Sequence, residues 1–523
     1  MPEKKEKESV VLLILDGWGI APASKGNAIS LAKKPNFDYL LKKFPHTELG
    51  ASGESVGLLA GMAGNSEAGH FNLGAGKIVL DDAVYISQSI ENGLFFENQT
   101  ILEAIKHVKK NKSKFHLIGL FSDETTGHAD PNHLLALIKM AEQNGIENIY
   151  LHLITDGRDT TPHSFLKAYA KLKELLNGAK IVSLVGRFYA MDRKKEWSRI
   201  ELAYNLFTLG RGRKFENVEE AISYAYGRPN KKLNLLTDEY IPPSIITQDG
   251  KTITMDDGDA AIFFNLRSDR ARQLTKVFVQ KQFYKKNPGS FHRQKYLRSF
   301  CFVALTDFGP DLDDVHTAYP SRLAEQSIVH ALKDFSQAYL AEREKYAHIT
   351  YFFNGGHDQP VAGEKRFLIP SPTVENYDLY PEMNTREVSQ KIIKKLRDKK
   401  TNFIVANFPN PDILGHTGNI PATIKAIEFI DTLLGKIYKE TAKQKVNLII
   451  TADHGNAEKM IDETTGEIFN GHTTNPVPFI LASERYKKVK LRKGGILGDV
   501  APTILDILGV EKPKEMTGQS LIK

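Results

Sequence analysis

Short, uninterrupted apolar runs recur along the chain, each closed by Gly, Asp or His and followed by a stretch of helical periodicity. Residues 10–15, 115–121, 149–154, 181–185, 261–266, 403–408 and 448–452 are of this kind. Runs of this length that do not alternate with polar residues fit strands buried on both faces. Their alternation with helical stretches predicts an α/β fold with mainly parallel sheets flanked by helices. No repeat or low-complexity tract interrupts the pattern.

In parallel sheets ligands gather beyond the carboxyl ends of the strands, and the chemistry-bearing residues here fall at those ends. Asp16 closes the run 10–15, Asp412 follows 403–408, and Asp453 follows 448–452. Asp412-Ile413-Leu414-Gly415-His416, Asp453-His454-Gly455 and Gly471-His472-Thr473 add three histidines. Carboxylate oxygen and imidazole nitrogen suit zinc, manganese, cobalt or iron. Two such ions about 4 Å apart clamp the attacking and leaving oxygens of a phosphoryl transfer. The Gly-rich stretch 61–70 supplies a nucleophile, Ser66, whose hydroxyl a metal can activate. Residues near both chain ends must therefore meet. This predicts a discontinuous metal-binding domain, residues 1–80 and 316–523, with residues 81–315 inserted as a second α/β domain. Two crossings between domains make a hinge, so opening to admit substrate and closure to exclude water are expected.

Within the insert, several runs end in basic clusters. Arg158 and Asp159 follow 149–154, Arg187 and Arg193 follow 181–185, and Arg267 and Arg270 follow 261–266. The planar guanidinium binds carboxylate and phosphate bidentately, so this edge fits a small molecule bearing both groups. Asp159 is suited to substrate hydroxyls. His128, after the run 115–121, is suited to moving a proton to and from one.

Composition narrows the setting. The 70 Lys+Arg against 63 Asp+Glu give a formal +7 spread along 523 residues, which marks neither a nucleic-acid footprint nor a membrane patch. One cysteine, Cys301, excludes an internal disulfide and suits a reducing compartment; the run after the charged start is too short for a signal or a span. A cytoplasmic protein is expected.

Taken together and in order, Leu15-Asp16-Gly17-Trp18-Gly19, Gly64-Asn65-Ser66-Glu67-Ala68-Gly69-His70, Asp156-Gly157-Arg158-Asp159, the stretch Gly186 to Arg193, Phe263-Phe264-Asn265-Leu266-Arg267, Asn410-Pro411-Asp412, Ala452-Asp453-His454-Gly455-Asn456 and Gly471-His472-Thr473 carry a resemblance. The chain resembles the 2,3-bisphosphoglycerate-independent phosphoglycerate mutases of the alkaline phosphatase superfamily, from about Val10 to Gln519. The resemblance implies an alkaline-phosphatase-like domain with one metal on Asp412, His416 and His472 and the other on Asp16, Ser66, Asp453 and His454. Manganese is the usual metal, with cobalt or zinc as substitutes, and no 2,3-bisphosphoglycerate is needed. It implies 3-phosphoglycerate to 2-phosphoglycerate interconversion through phosphoserine at Ser66, and a monomer. It assigns the arginines, Asp159 and His128 to substrate, and adds Lys345 as a cation bridging the domains. The chain departs from the family's pattern in one loop: Glu124-Thr125-Thr126-Gly127 precede His128, one residue more than usual, and Asp130 stands where a second histidine is common.

Plainer readings exist for single features. An Asp-X-X-X-His pair is commonly a helix-surface pair, Ser66 could cap a helix above Glu67, and Lys345 sits in a charged stretch. His70 and His152 read as packed structural histidines, and Trp18 as packing under the metal loop. Among whole functions, a metal-dependent phosphatase or sulfatase would share the metal half without needing the arginine-rich insert. A phosphopentomutase fits these carboxylate-suited arginines poorly, and a metal-stabilised binding protein would not need the serine.

Overall fold

The computed structural model describes residues 8–227, 237–361 and 363–523. It divides into two compact units, Met1–Asp81 with Arg322–Lys523, and Asp82–Ser321.

The first unit is built on eight strands in the spatial order Glu364–Ile369, Gln337–Glu342, Phe403–Phe408, Val10–Leu15, Asn447–Thr451, Val477–Ala482, His46–Gly50, Gly495–Ile496. The first five are parallel, and Val477–Ala482 opposes both its neighbours. Val10–Leu15 reads Val-Val-Leu-Leu-Ile-Leu and is buried throughout, with Val10 opposite both Phe403 and Asn447. Each such side chain contributes about 1.5–3 kcal/mol on burial, which drives this strand to the middle of the sheet. Helices Thr385–Asp398, Ile420–Gln444 and Val500–Leu508 flank the sheet and share its core. Trp18 packs in that core, 4.8 Å from the Phe37 ring.

The second unit repeats the plan in the order His316–Tyr319, Cys301–Thr306, Ala260–Phe263, Phe115–Leu120, Ile149–Thr155, Lys180–Gly186, Ser244–Ile246, Arg213–Phe215. Only Ser244–Ile246 against Lys180–Gly186 is antiparallel. The strand His316–Tyr319 pairs with Cys301–Thr306, so the chain leaves this unit after Ser321 and not at residue 316. His152 is buried in the sheet and satisfied there: Asp259 Oδ2 lies 3.1 Å from His116 Nε2, His116 Nδ1 3.0 Å from His152 Nε2, and His152 Nδ1 2.7 Å from Ser183 Oγ. Buried polar groups require partners of this kind. Among the described residues no helix is long and apolar enough to cross a membrane.

Candidate metal centre

Four adjacent strands of the first unit, Gln337–Glu342, Phe403–Phe408, Val10–Leu15 and Asn447–Thr451, present the candidate ligands at their carboxyl ends. Asp16 follows Leu15 directly. Gly17 then turns with φ 72, so close to Asp412 that a Cβ would lie 2.7 Å from the Asp412 Cα. A residue with a side chain is strained by that turn and collides in it.

Asp412 lies in the first turn of the Asn410–Gly415 helix, and His416 caps its end. The pair is therefore helical, as residues four apart commonly are, and it converges: His416 Nε2 is 3.3 Å from Asp412 Oδ1. His472 Nε2 is 3.2 Å from the same oxygen and 3.0 Å from His416 Nε2. Asp16, Asp453 and His454 form a second, fully buried set, with His454 Nε2 3.6 Å from Asp16 Oδ1 and 3.4 Å from Asp453 Oδ2. Within each set the ligand atoms lie within 4.8 Å of one another.

Ser66 Oγ meets the second set, 2.9 Å from His454 Nε2 and 3.4 Å from Asp16 Oδ1. Ser66 opens the Ser66–Ala75 helix, but Asn65 caps it, accepting from the Ala68 N–H at 2.9 Å. The serine hydroxyl is thus relieved of capping and left for chemistry.

The histidines are oriented for metal binding. Nδ1 of His416 donates to the Asn470 carbonyl at 2.8 Å, that of His472 to the Gly64 carbonyl at 2.9 Å, and that of His454 to the Gly455 carbonyl at 3.2 Å. A proton held on Nδ1 turns each Nε2 lone pair toward the cluster, as metal-ligating imidazoles require.

Lys345, in the Arg343–Ala347 helix, is buried with its ammonium 2.7 Å from each of Ser66 Oγ, Asp16 Oδ1 and Asp412 Oδ2. Burial works against its charge, but Asp16, Asp412 and Asp453 outweigh it and hold the group above its usual value. Burial and then the Asp453 charge push Asp16 up. Asp412 stays well below the usual range against burial, through Lys345 and then His416 and His472. Three buried carboxylates face one ammonium, and Asp453 Oδ2 has no aligned hydrogen bond among the described residues. Excess buried negative charge of this kind calls for cations, and the N/O donor set fits divalent ones.

A further layer escaped the sequence. Asn456 Nδ2 donates to Asp412 Oδ1 at 3.0 Å, and Asn407 Nδ2 donates to Asp16 Oδ2 at 2.6 Å. The Glu458 carboxylate accepts from the Gly19 and Asn456 N–H groups at 3.1 and 2.8 Å. Asn407 carried a readable signal: an amide alone in the otherwise apolar run 403–408.

In the second unit, Arg187 follows the Lys180–Gly186 strand and is almost wholly buried. It donates to Asp156 Oδ1 and, at 2.8 Å, to Asp159 Oδ2. His128 Nε2 lies 3.8 Å from that Asp159 oxygen. Arg193 pairs with Asp269 at 3.0 Å, Arg158 with Glu239 at 3.5 Å, and Arg270 donates to the Met191 carbonyl at 3.2 Å. Arg267 passes Gly127, where a Cβ would lie 3.2 Å from its Cζ. Burial, and then Arg187, Arg193 and Arg158, pull Arg270 below its usual value, so these guanidiniums share one field. Burial and then Arg187 push His128 down to about 4 against Asp159, and its Nδ1 has no partner among the described residues. Asp130 caps the Pro131–Gln143 helix, accepting from the Asn132 N–H at 2.8 Å and from the Thr125 hydroxyl at 2.5 Å.

Parallel sheet, carboxyl-end cluster and two N/O ligand sets define a metal-dependent enzyme, and residues 8–512 match the model of the metalloenzyme superfamily. The chain is 45% identical to the 2,3-bisphosphoglycerate-independent phosphoglycerate mutase of Clostridium kluyveri over 523 residues, covering 99% of this chain and all of that one. The same enzyme of Clostridioides difficile is 45% identical over 527 residues, with 99% of each chain covered. A crystal structure of Leishmania mexicana phosphoglycerate mutase at low cobalt concentration matches with a TM-score of 0.71 and 28% identity, covering 100% of this chain and 98% of that one. The chain belongs to the family of 2,3-bisphosphoglycerate-independent phosphoglycerate mutases.

Proposed function

We propose that this protein interconverts 3-phosphoglycerate and 2-phosphoglycerate through a phosphoserine at Ser66, without added 2,3-bisphosphoglycerate. The observation that carries the reading is the position of Ser66 Oγ, within 2.9 Å of His454 Nε2 and 2.7 Å of Lys345 Nζ. Asp412, His416 and His472, and Asp16, Ser66, Asp453 and His454, would hold two divalent ions, manganese first and cobalt or zinc as alternatives, which when bound would neutralise phosphoryl oxygens and lower the pKa of the serine hydroxyl.

Ser66 Oγ attacks phosphorus, the bond from phosphorus to the 3-oxygen breaks, and glycerate is released from the phosphoryl group but retained. Lys345, charged beside Ser66, steadies the developing negative charge. Arg158, Arg187, Arg193, Arg267 and Arg270 hold the carboxylate and phosphate oxygens, while Asp159 holds a glycerate hydroxyl. His128, neutral near pH 7 because its pKa sits at about 4, takes the proton of the glycerate 2-hydroxyl and passes it to the departing 3-oxygen, with Asp159 beside it. The glycerate 2-oxygen then attacks phosphoserine and Ser66 is restored.

A cytoplasmic monomer belongs to the same reading, supported by the lone Cys301 and by the family resemblance. The test is an enolase-coupled assay on chelator-stripped protein resupplied with single metals and no bisphosphoglycerate. Turnover is expected. Phosphate release from 3-phosphoglycerate outpacing isomerisation would instead make the protein a phosphatase.

A further inference from the structure

His70 lies one helical turn beyond Ser66 and is fully buried, with both ring nitrogens engaged. Its Nδ1 is 2.9 Å from the Ser66 carbonyl oxygen and 3.2 Å from Asp453 Oδ2. The first is an aligned hydrogen bond and the second an electrostatic contact, since Asp453 Oδ2 has no aligned donor. Nδ1 faces two acceptors and therefore carries the proton. Nε2 faces Asn407 Nδ2 at 3.0 Å, and the same amide group donates to Asp16 Oδ2 at 2.6 Å. The Asp16 carboxylate fixes which way the amide points, and the amide in turn makes Nε2 an acceptor. One imidazole thus joins the Ser66 backbone, the Asp453 carboxylate and, through Asn407, the Asp16 carboxylate.

The other ligand set is oriented by separate groups: Asn456 on Asp412, the Asn470 carbonyl on His416 and the Gly64 carbonyl on His472. None of these contacts His70. Lys345 Nζ, 2.7 Å from both Asp16 Oδ1 and Asp412 Oδ2, links the two sets, whereas the partners of His70 belong to one of them.

We infer that His70, held by Asn407, is a positioning residue dedicated to one of the two metal positions, that of Asp16, Ser66, Asp453 and His454. The inference rests on the two-metal reading above. The Nδ1–H keeps Ser66 and Asp453 in mutual register, and Asn407 transmits the same register to Asp16. Partners that orient ligands in this way commonly change metal affinity by about 10–100-fold when removed.

An amide pair separates this role from general packing. The Asn side chain places its NH2 where Nδ1 stands, and Gln places it nearer Nε2. His70→Asn and His70→Gln, both polar and of similar size, are titrated with Mn2+ by calorimetry after chelator treatment, with His416→Ala assigning which binding step belongs to which position. His70→Gln is expected to weaken the assigned step at least tenfold and leave the other within about threefold, while His70→Asn stays near wild type. In turnover, His70→Gln is expected to lose kcat with KM for 3-phosphoglycerate unchanged. Equal affinities for the two variants, or equal loss at both steps, would overturn the inference. Wild-type protein that binds fewer than two ions would overturn the two-metal reading itself, a distinct outcome visible before any variant is made.

Discussion

Gly69 offers the sharpest test of how tightly the serine helix must sit on the ligand strand. It faces the backbone of Asp453, and a Cβ placed on it would lie 2.5 Å from the Asp453 carbonyl oxygen and 2.8 Å from the Asp453 Cβ. Ordinary contact begins near 3.4 Å, so Gly69→Ala forces the two segments apart by about 0.9 Å. Overpacking of this kind costs about 1–3 kcal/mol, and each kcal/mol lowers a melting midpoint by roughly 2–4 °C in a domain of this size. The larger effect falls on chemistry. Asp453 is a ligand candidate and Ser66 the proposed nucleophile, and a displacement near 1 Å between reacting groups costs about 100-fold in rate. The enolase-coupled assay should show kcat reduced by about that factor with KM little changed, because the arginines proposed to hold substrate belong to the other unit. Circular dichroism melts on the same preparation separate stability from rate. Wild-type kcat in a folded Gly69→Ala protein would refute the argument, as would a rate loss accounted for entirely by unfolded protein.

Ser66→Ala should lose at least about 1,000-fold in kcat and show no phosphorylated protein by intact mass after incubation with 3-phosphoglycerate; wild-type activity would end the phosphoserine mechanism. Lys345→Met should lower kcat by at least about 100-fold, and in the metal-stripped protein the melting midpoint should fall further than in the loaded one, because unbalanced carboxylates remain. His128 has its pKa depressed from 6.5 to about 4 on folding, so its contribution is fully present above pH 6.5 and is lost as pH falls toward 4. Urea unfolding of His128→Asn across that window should therefore decline less steeply on acidification than wild type. Chelation should lower the melting midpoint, and Mn2+ at about 100 times its Kd should restore roughly 2.7 kcal/mol.

The fold was legible because the strands buried on both faces are nearly continuous apolar runs; residues 10–15 could form little else. The ligand candidates were legible because each carboxylate follows such a run within a few residues. Less visible was anything set by packing between remote segments. That Asn65 and not Ser66 caps the serine helix depends on which side chain turns back to Ala68, a choice the motif leaves open. Asp412 and His416 read equally well as a helix-surface pair, and it is the Asn410–Gly415 helix, ending at His416, that turns this i,i+4 pair toward the cluster. His70 read as a packed histidine, and its link to Asp16 runs through Asn407, 337 residues away. Lys345 drew attention only through family resemblance, since nothing in its charged stretch marks that its ammonium turns inward to the carboxylates while Arg343 and Glu344 stay exposed.

The central strand of the first unit's sheet is made long before the two strands that flank it. Val10–Leu15 lies between Phe403–Phe408 and Asn447–Thr451, so a ribosome running at roughly 5–20 residues per second delivers its second neighbour about 20–90 s after the strand itself. For that interval an all-aliphatic segment lacks its second partner, while the inserted unit, Asp82–Ser321, is contiguous in sequence. Synthesis thus leaves Val10–Leu15 an unpaired aliphatic edge until Phe403–Phe408 and then Asn447–Thr451 are made.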